Sequence, residues 1–403
     1  RALLDPAVGL TKVQPWHQNQ ALPQGAELDA AAVVLDVPTG EVLAMVSMPE
    51  APRDGDWSKR GLEGRALEEY LAVHTPFVNR AIGKPYQPGS IVKALVLLGA
   101  VQAGTYAPGE RIRDTGHYFP NQPNAFRSWI YKQYGITHSD QLGRDPDDAD
   151  ALMVSANVFF YTLGDRLGGK GIASVYRKFG VGQAFGLGVG GEWPGSIGAL
   201  TGGPNDGSDL TRQDAILLGI GQGPIAWTPL HAADAYATIA RGGVRIVPRL
   251  VADEGVAPRV EDLRLSPTAI RNTLKGLRGS VDDPDFGTGT RITIDGVPHR
   301  IFNAPGVTVW GKTGTADSSP IVWDPDGDGP APATVVRQGD HSWFVVLVAD
   351  EGEAPRYAIA VVVDYGGSGG RVSGPITNQI VHALIQEGYL KGRPGARANG
   401  GGR

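Results

Sequence analysis

Apolar, β-favouring runs lie near both ends of this 403-residue chain, and a glycine-rich middle with helical patterning separates them. Ala30–Val37 and Glu41–Ser47 flank Pro38-Thr39-Gly40 and predict a β-hairpin. Val307–Trp310, Ser342–Ala349 and Tyr357–Tyr365 supply three more runs in the C-terminal third. Between the two groups, Ser90–Gly104, Asn157–Leu167 and Pro229–Arg241 carry helical patterning, and Pro375–Glu387 shows an amphipathic helical period after the last strand. Strands at both ends of a mostly helical chain predict one α+β domain, its antiparallel sheet shared by the two termini.

Residues 48–80 and 105–150 read as irregular, and residues 1–29 as a linker or the remnant of a preceding domain. The folded domain is then expected over 30–390. The stretch 391–403 lacks large apolar residues and is expected to be a disordered tail. A net charge of −5 does not favour a nucleic-acid groove. With no cysteine in the chain, disulfides, thiolate metal sites and cysteine nucleophiles are excluded. No run reaches the ~18 apolar residues that span a bilayer.

Three short motifs follow one another along the chain. Ser90-Ile91-Val92-Lys93 opens an apolar helix, with Ser90 at the expected N-cap position. A spacing of three puts both side chains on one face, where a lysine made less basic by burial can activate a hydroxyl. Alone, the same residues read more readily as a helix cap and a solvated lysine. Ser155-Ala156-Asn157 stands at the start of another helix and can act as a cap, or as a proton relay and an orienting amide. Gly311-Lys312-Thr313-Gly314-Thr315 extends a β-run, where Lys312 and the threonine hydroxyls can bind a carboxylate. A phosphate loop is not indicated, because the following helix and the required glycine spacing are missing.

Their order, on helix, helix cap and strand, is the signature of penicillin-binding proteins and serine β-lactamases. Longer stretches resemble class B penicillin-binding proteins, the elongation type especially. They are AAVVLDVPTGEVLAMVSMP (31–49), YQPGSIVKALVLLGA (86–100), SANVFFYTLGDRLG (155–168), GQGPIAWTPLHAADAYATIARGG (221–243), WGKTGTA (310–316), HSWFVVLVA (341–349) and YAIAVVVDYGGSGG (357–370). The resemblance implies a five-stranded antiparallel sheet flanked by helices, beside an all-helical subdomain that carries Ser155. It implies a D,D-transpeptidase that cross-links peptidoglycan stem peptides ending in D-Ala-D-Ala, is acylated by β-lactams and needs no cofactor or metal. By motif position it makes Ser90 the nucleophile and Lys93 its base, with Ser155 and Asn157 completing the network. Lys312, Thr313, Gly314 and Thr315 hold the substrate carboxylate, and the backbone N–H groups of Ser90 and Thr315 form an oxyanion hole. It further implies work on the periplasmic face of the cytoplasmic membrane beside a glycosyltransferase partner, with the anchor outside this chain. Hydrolysis of the acyl-enzyme, as in a β-lactamase or D,D-carboxypeptidase, and a non-catalytic penicillin-binding sensor are the alternatives.

Other candidates carry less. Asp324-Pro325-Asp326-Gly327-Asp328-Gly329 has the spacing of half a calcium loop, but its twelfth position is Val335, so it reads as a solvated acidic turn. Glu192 lies near where a class A β-lactamase carries its deacylating glutamate, and is read here as structural. His117, His138 and His341 show no paired ligand spacing. A zinc site in 105–150 would need histidine and carboxylate ligands alone.

Overall fold

The two ends of the chain do meet in one sheet. In the computed structural model, strands β1 (Ala30–Asp36), β2 (Val42–Met48), β3 (Val307–Ala316), β4 (His341–Asp350) and β5 (Tyr357–Val363) form a five-stranded sheet in the order β2-β1-β5-β4-β3. The structure describes residues 25–198, 206–250, 257–294, 296–323 and 334–392. Each neighbouring pair is antiparallel, and β1 runs against β5 from Ala30↔Val363 to Asp36↔Tyr357. Every residue of β1 and β5 is buried. Both faces are covered, which is why these strands read as unbroken apolar runs.

Alternate residues serve two cores. Val33, Leu35, Trp343, Val345 and Val362 face the helical body, while Val34, Phe344, Val346, Ile359 and Val361 face the other side. On the first side lies helix α3 (Pro229–Ala240); on the second, α5 (Ser373–Gln386) contributes Ile376, Ile380, Val381 and Leu384. Each such side chain, taken fully out of water, contributes about 1.5–3 kcal/mol before entropy is counted. Helix α1 (Lys93–Gln102) is buried from Lys93 to Ala100, so it is apolar all round; it packs between α2 (Asn157–Lys178) and α4 (Pro267–Asp282). A break at Gly168, with φ 64°, interrupts α2.

Several segments differ from the sequence expectation. The supposed loop 48–80 contains a helix over Gly64–His74. Residues 105–150 hold short helices at Trp129–Tyr134 and His138–Leu142, and a third begins at Asp148; two of them start at capping boxes, Thr137 with Asp140 and Asp147 with Asp150. None is long enough to show a periodicity. Helix α4 was not expected, although Ser266 caps Ala269 N–H, Pro267 takes the first helical position, and Ile270, Leu274, Leu277 and Val281 recur at helical spacing. The expected linker also ends early. Leu28 and Asp29 are buried, and Asp29 Oδ1 lies 2.7 Å from His74 Nδ1. At the other end, the N–H groups of Lys391 and Gly392 donate to Asp350 Oδ1. The rest of the expected tail and the acidic turn 324–329 lie outside the described residues. Among the described residues, no helix is long and apolar enough to cross a membrane.

Candidate active site

Ser90 lies inside a 3-10 turn, Gly89–Val92, and α1 begins only at Lys93. The expected N-cap role is therefore absent: the turn is preceded by Pro88 and has no side-chain cap. The turn abuts β3, and two glycines make that possible. A Cβ on Gly89 (φ 58°) would sit 2.5 Å from Thr315 O, and one on Gly314 would sit 2.9 Å from Ile91 Cγ2. Backbone this close leaves no room for a methyl group. Gly89 N–H also donates to Gly221 O at 2.9 Å, which ties the turn to the GQG segment.

Lys93 is fully buried. Its Nζ lies 2.9 Å from Ser155 O, 3.0 Å from Ser155 Oγ and 2.7 Å from Asn157 Oδ1. Burial, and secondarily the charge of Lys312, holds the amine well below the usual lysine range. A neutral amine donates twice and accepts once. The carbonyl and the amide oxygen can only accept, so the Ser155 hydroxyl is the partner that turns donor. That arrangement couples the proton of Ser155 to the state of Lys93.

One reading of the Ser155 motif made it a helix cap. Instead Ala156 holds the N-cap position of α2 without a side-chain bond, and Ser155 has φ 57°. A non-glycine residue in this region costs about 1–3 kcal/mol and persists where its surroundings hold it. Here Lys93 binds both its carbonyl and its hydroxyl. Asn157 Nδ2 reaches back to Arg127 O at 3.3 Å, and Trp129 Nε1 donates to Val154 O at 3.1 Å. Both contacts anchor the 105–150 segment against the Ser155 turn.

Lys312 is buried in β3, opposite Val345 of β4. Burial brings its amine down to about 7, and its one described hydrogen bond is to Thr313 O at 3.3 Å. Thr313 Oγ1 meets Thr288 Oγ1 at 3.0 Å, while Thr315 is exposed and Gln222 Nε2 approaches its carbonyl at 3.5 Å. Ser90, Ser155, Asn157, Thr313 and Thr315 line one cleft of about 570 Å³ between the sheet edge and the helical body. Lys93, Lys312 and Gly314 sit buried in its walls. Ser90 Oγ itself makes no hydrogen bond among the described residues, so the serine–lysine contact expected from the spacing is not made at rest.

The cleft also uses residues that sequence reasoning passed over: Arg127, Trp129, Lys132, Tyr161, Asp317 and Asp340. Three of these fall in the segment read as irregular, where no motif marked them. The set-aside candidates prove structural. Glu192 accepts from the N–H groups of Gly186 and Leu187, at 3.0 and 2.6 Å, and closes its own loop. His341 packs edge-on against Tyr86 and accepts from Tyr365 N–H at 3.3 Å. His138 is bound to Asp114 at 2.5 Å and Ser128 at 3.0 Å, and His117 packs against Tyr131.

A hydroxyl on a glycine-framed turn, a buried amine of depressed basicity and a strand edge that presents two threonine hydroxyls suit acyl transfer through a serine ester. Comparison with known proteins gives the family. A sequence model of the penicillin binding protein transpeptidase domain matches residues 30–382, and the chain belongs to that family. The peptidoglycan D,D-transpeptidase MrdA of Acinetobacter baumannii is 27% identical over 363 residues, covering 86% of this chain and 50% of that protein. The chain thus spans about half the length of the curated relatives it matches. Pseudomonas aeruginosa PBP2, solved with WCK 5153, superimposes with a TM-score of 0.69 at 26% identity, over 91% of this chain and 76% of that one. Helicobacter pylori PBP2, solved with MreC, gives 0.69 at 22% identity over 90% and 61%.

Proposed function

We propose that this chain is the catalytic part of a peptidoglycan D,D-transpeptidase of the class B, elongation type. In this reading Ser90 attacks the penultimate D-alanine carbonyl of a stem peptide. Lys93 takes the serine proton, and Ser155 passes it to the departing D-alanine amine. An amine of a second stem then attacks the ester, releases Ser90 and forms the cross-link. Lys312, Thr313 and Thr315 hold the terminal carboxylate, with Gly314 keeping the strand close to the nucleophile turn. The backbone N–H groups of Ser90 and Thr315 receive the developing oxyanion.

One observation carries the reading. A buried, weakly basic Lys93 is held by Ser155 and Asn157 beside Ser90, in a cleft whose other wall presents Thr313 and Thr315. Those are the groups an acyl transfer needs, brought together from three distant parts of the chain. Against the class A β-lactamase alternative, the Glu192 carboxylate is spent on two backbone N–H groups. The same reading places the enzyme at the membrane on its extracytoplasmic side with a glycosyltransferase partner; the complex of Helicobacter pylori PBP2 with MreC supports a protein partner.

The test is intact-protein mass spectrometry after treatment with fluorescent penicillin. A stable adduct on Ser90, absent in Ser90→Ala, is expected. Labelling that persists in that variant, or never forms on the wild type, overturns the reading, and rapid loss of the adduct selects the hydrolase.

A further inference from the structure

Helix α4 ends at Asp282, and the chain that follows folds back over its last turn. The N–H of Gly287 and the hydroxyl of Thr290 both donate to Asp283 O, at 3.0 and 2.8 Å, and the N–H of Gly289 donates to Ser280 O at 2.8 Å. This turn has no spare room. A Cβ on Gly287 would sit 2.7 Å from Asp283 O, and one on Gly289 would sit 2.6 Å from Phe344 Cζ. Two glycines so closely enclosed fix where Thr288, the residue between them, stands. It lines the cleft beside Thr313.

Three hydroxyls thus run in a row from the helix to the strand. Ser280 Oγ lies 3.2 Å from Thr288 Oγ1, which in turn lies 3.0 Å from Thr313 Oγ1. Each hydroxyl has a single proton to donate, so the direction of donation along the row matters. The inner end decides it. Ser280 is fully buried, and Thr288 is the only hydrogen-bond partner of its hydroxyl among the described residues. A buried donor without an acceptor is costly, so Ser280 gives its proton to Thr288. Accepting a hydrogen bond makes a hydroxyl the stronger donor, and Thr288 passes its own proton on to Thr313. The Thr313 hydroxyl is left with its proton turned to the cleft, where a carboxylate accepts it. The reverse order would turn lone pairs towards the carboxylate and strand the Ser280 proton inside the helix packing.

We propose that Ser280 and Thr288 orient the Thr313 hydroxyl, so that the strand edge meets a carboxylate with a proton rather than a lone pair. Thr288 is a positioning residue that acts through Thr313, and Ser280 sets the direction from the last turn of α4. The inference rests on the reading of Thr313 as a carboxylate ligand and adds the residues that prepare it.

Two probes separate this role from a general loosening of the site. Benzylpenicillin carries a carboxylate. Phenylacetamidomethylboronic acid has the same acyl side chain, closes on the Ser90 hydroxyl through boron and lacks the carboxylate. The measurements are the second-order rate of acylation by the first, from intact-protein mass spectra, and the concentration of the second that halves that rate. In Thr288→Val the acylation rate is expected to fall about tenfold, the share of a hydrogen bond to a charged group, while the boronic acid protects at its wild-type concentration. Thr288→Ser keeps the hydroxyl and restores the rate. Ser280→Ala is expected to slow acylation about threefold, as for a neutral hydrogen bond, again with unchanged protection by the boronic acid. Both measurements are independent of the fraction of folded protein. An unslowed Thr288→Val or Ser280→Ala variant, boronic-acid protection that weakens in step with the rate, or a Thr288→Ser variant as slow as Thr288→Val overturns the inference. A wild type that penicillin never labels, or that the boronic acid never protects, overturns the acyl-transfer reading itself.

Discussion

Lys93 and Lys312 face the same cleft from different walls, and both are buried lysines whose basicity burial lowers. Their surroundings differ. On the helical wall, Lys93 has three oxygen partners within 3.0 Å. On the sheet wall, Lys312 has a single side-chain bond among the described residues, at 3.3 Å to the carbonyl of its own neighbour. A buried amine with a full set of partners is locked in place and suited to exchanging protons with them. A buried amine with one weak partner has bonding capacity left for a ligand, and in β3 the proposed ligand is the substrate carboxylate.

The largest effect should come from the locked lysine. Replacing Lys93 by Ala removes the proposed base and the amine that holds the Ser155 carbonyl and hydroxyl. The second-order rate of penicillin acylation is expected to fall about 10²–10⁴-fold, measured by stopped labelling time courses. A loss under tenfold would show that Lys312 can take over the role, and the contrast between the walls would fail.

The second test works on the sheet wall through stability. In the fold, Lys312 loses its proton near pH 7, while in the unfolded chain it keeps the proton to about 10.4. Between these values the unfolded state binds more protons, so this site makes the fold more stable as pH rises. Lys312→Met lacks that dependence. Its stability advantage over the wild type should therefore shrink between about pH 7 and 10, by at most about 1.4 kcal/mol per unit. Thermal melts across that range check the sign. An advantage that grows with pH would mean that Lys312 is charged in the resting fold.

A smaller effect is expected where the walls touch. Gly89→Ala places a methyl group against Thr315 O at a positive φ and should cost about 1–3 kcal/mol in denaturant unfolding, with slower acylation. Smallest is Trp129→Phe, which removes one hydrogen bond to Val154 O while keeping an aromatic ring. A loss near 1 kcal/mol is expected, with the change in acylation confined to the helical wall's partners, Ser155 and Asn157.

The legibility of the two walls also differs. The sheet wall could be read directly, because apolar runs and the Lys312-Thr313-Gly314-Thr315 motif occupy consecutive residues of one strand. The helical wall could be read only in part. Ser155 and Asn157 were visible as a motif, but Arg127 lies on an isolated bridge to His117 and Trp129 and Lys132 on a six-residue helix, where no period can develop. Helix α4 was legible but missed: its Ser266-Pro267 start and the helical spacing of Ile270, Leu274, Leu277 and Val281 both signal it. Asp317 and Asp340 are 23 residues apart in sequence and became neighbours only through the β3–β4 register.

By itself the sequence determined the α+β class, the hairpin, the joining of both chain ends in one sheet and the three motifs that meet at the cleft. These follow from local patterns and from residue types that the chemistry requires. The tertiary structure alone decided that Lys93 bonds to Ser155 and Asn157 rather than to Ser90, that Ser155 is a strained turn residue rather than a cap, and that opposite charges line the cleft. Each of these depends on distances between segments far apart in the chain, and such distances are set by packing and register, which no local pattern encodes.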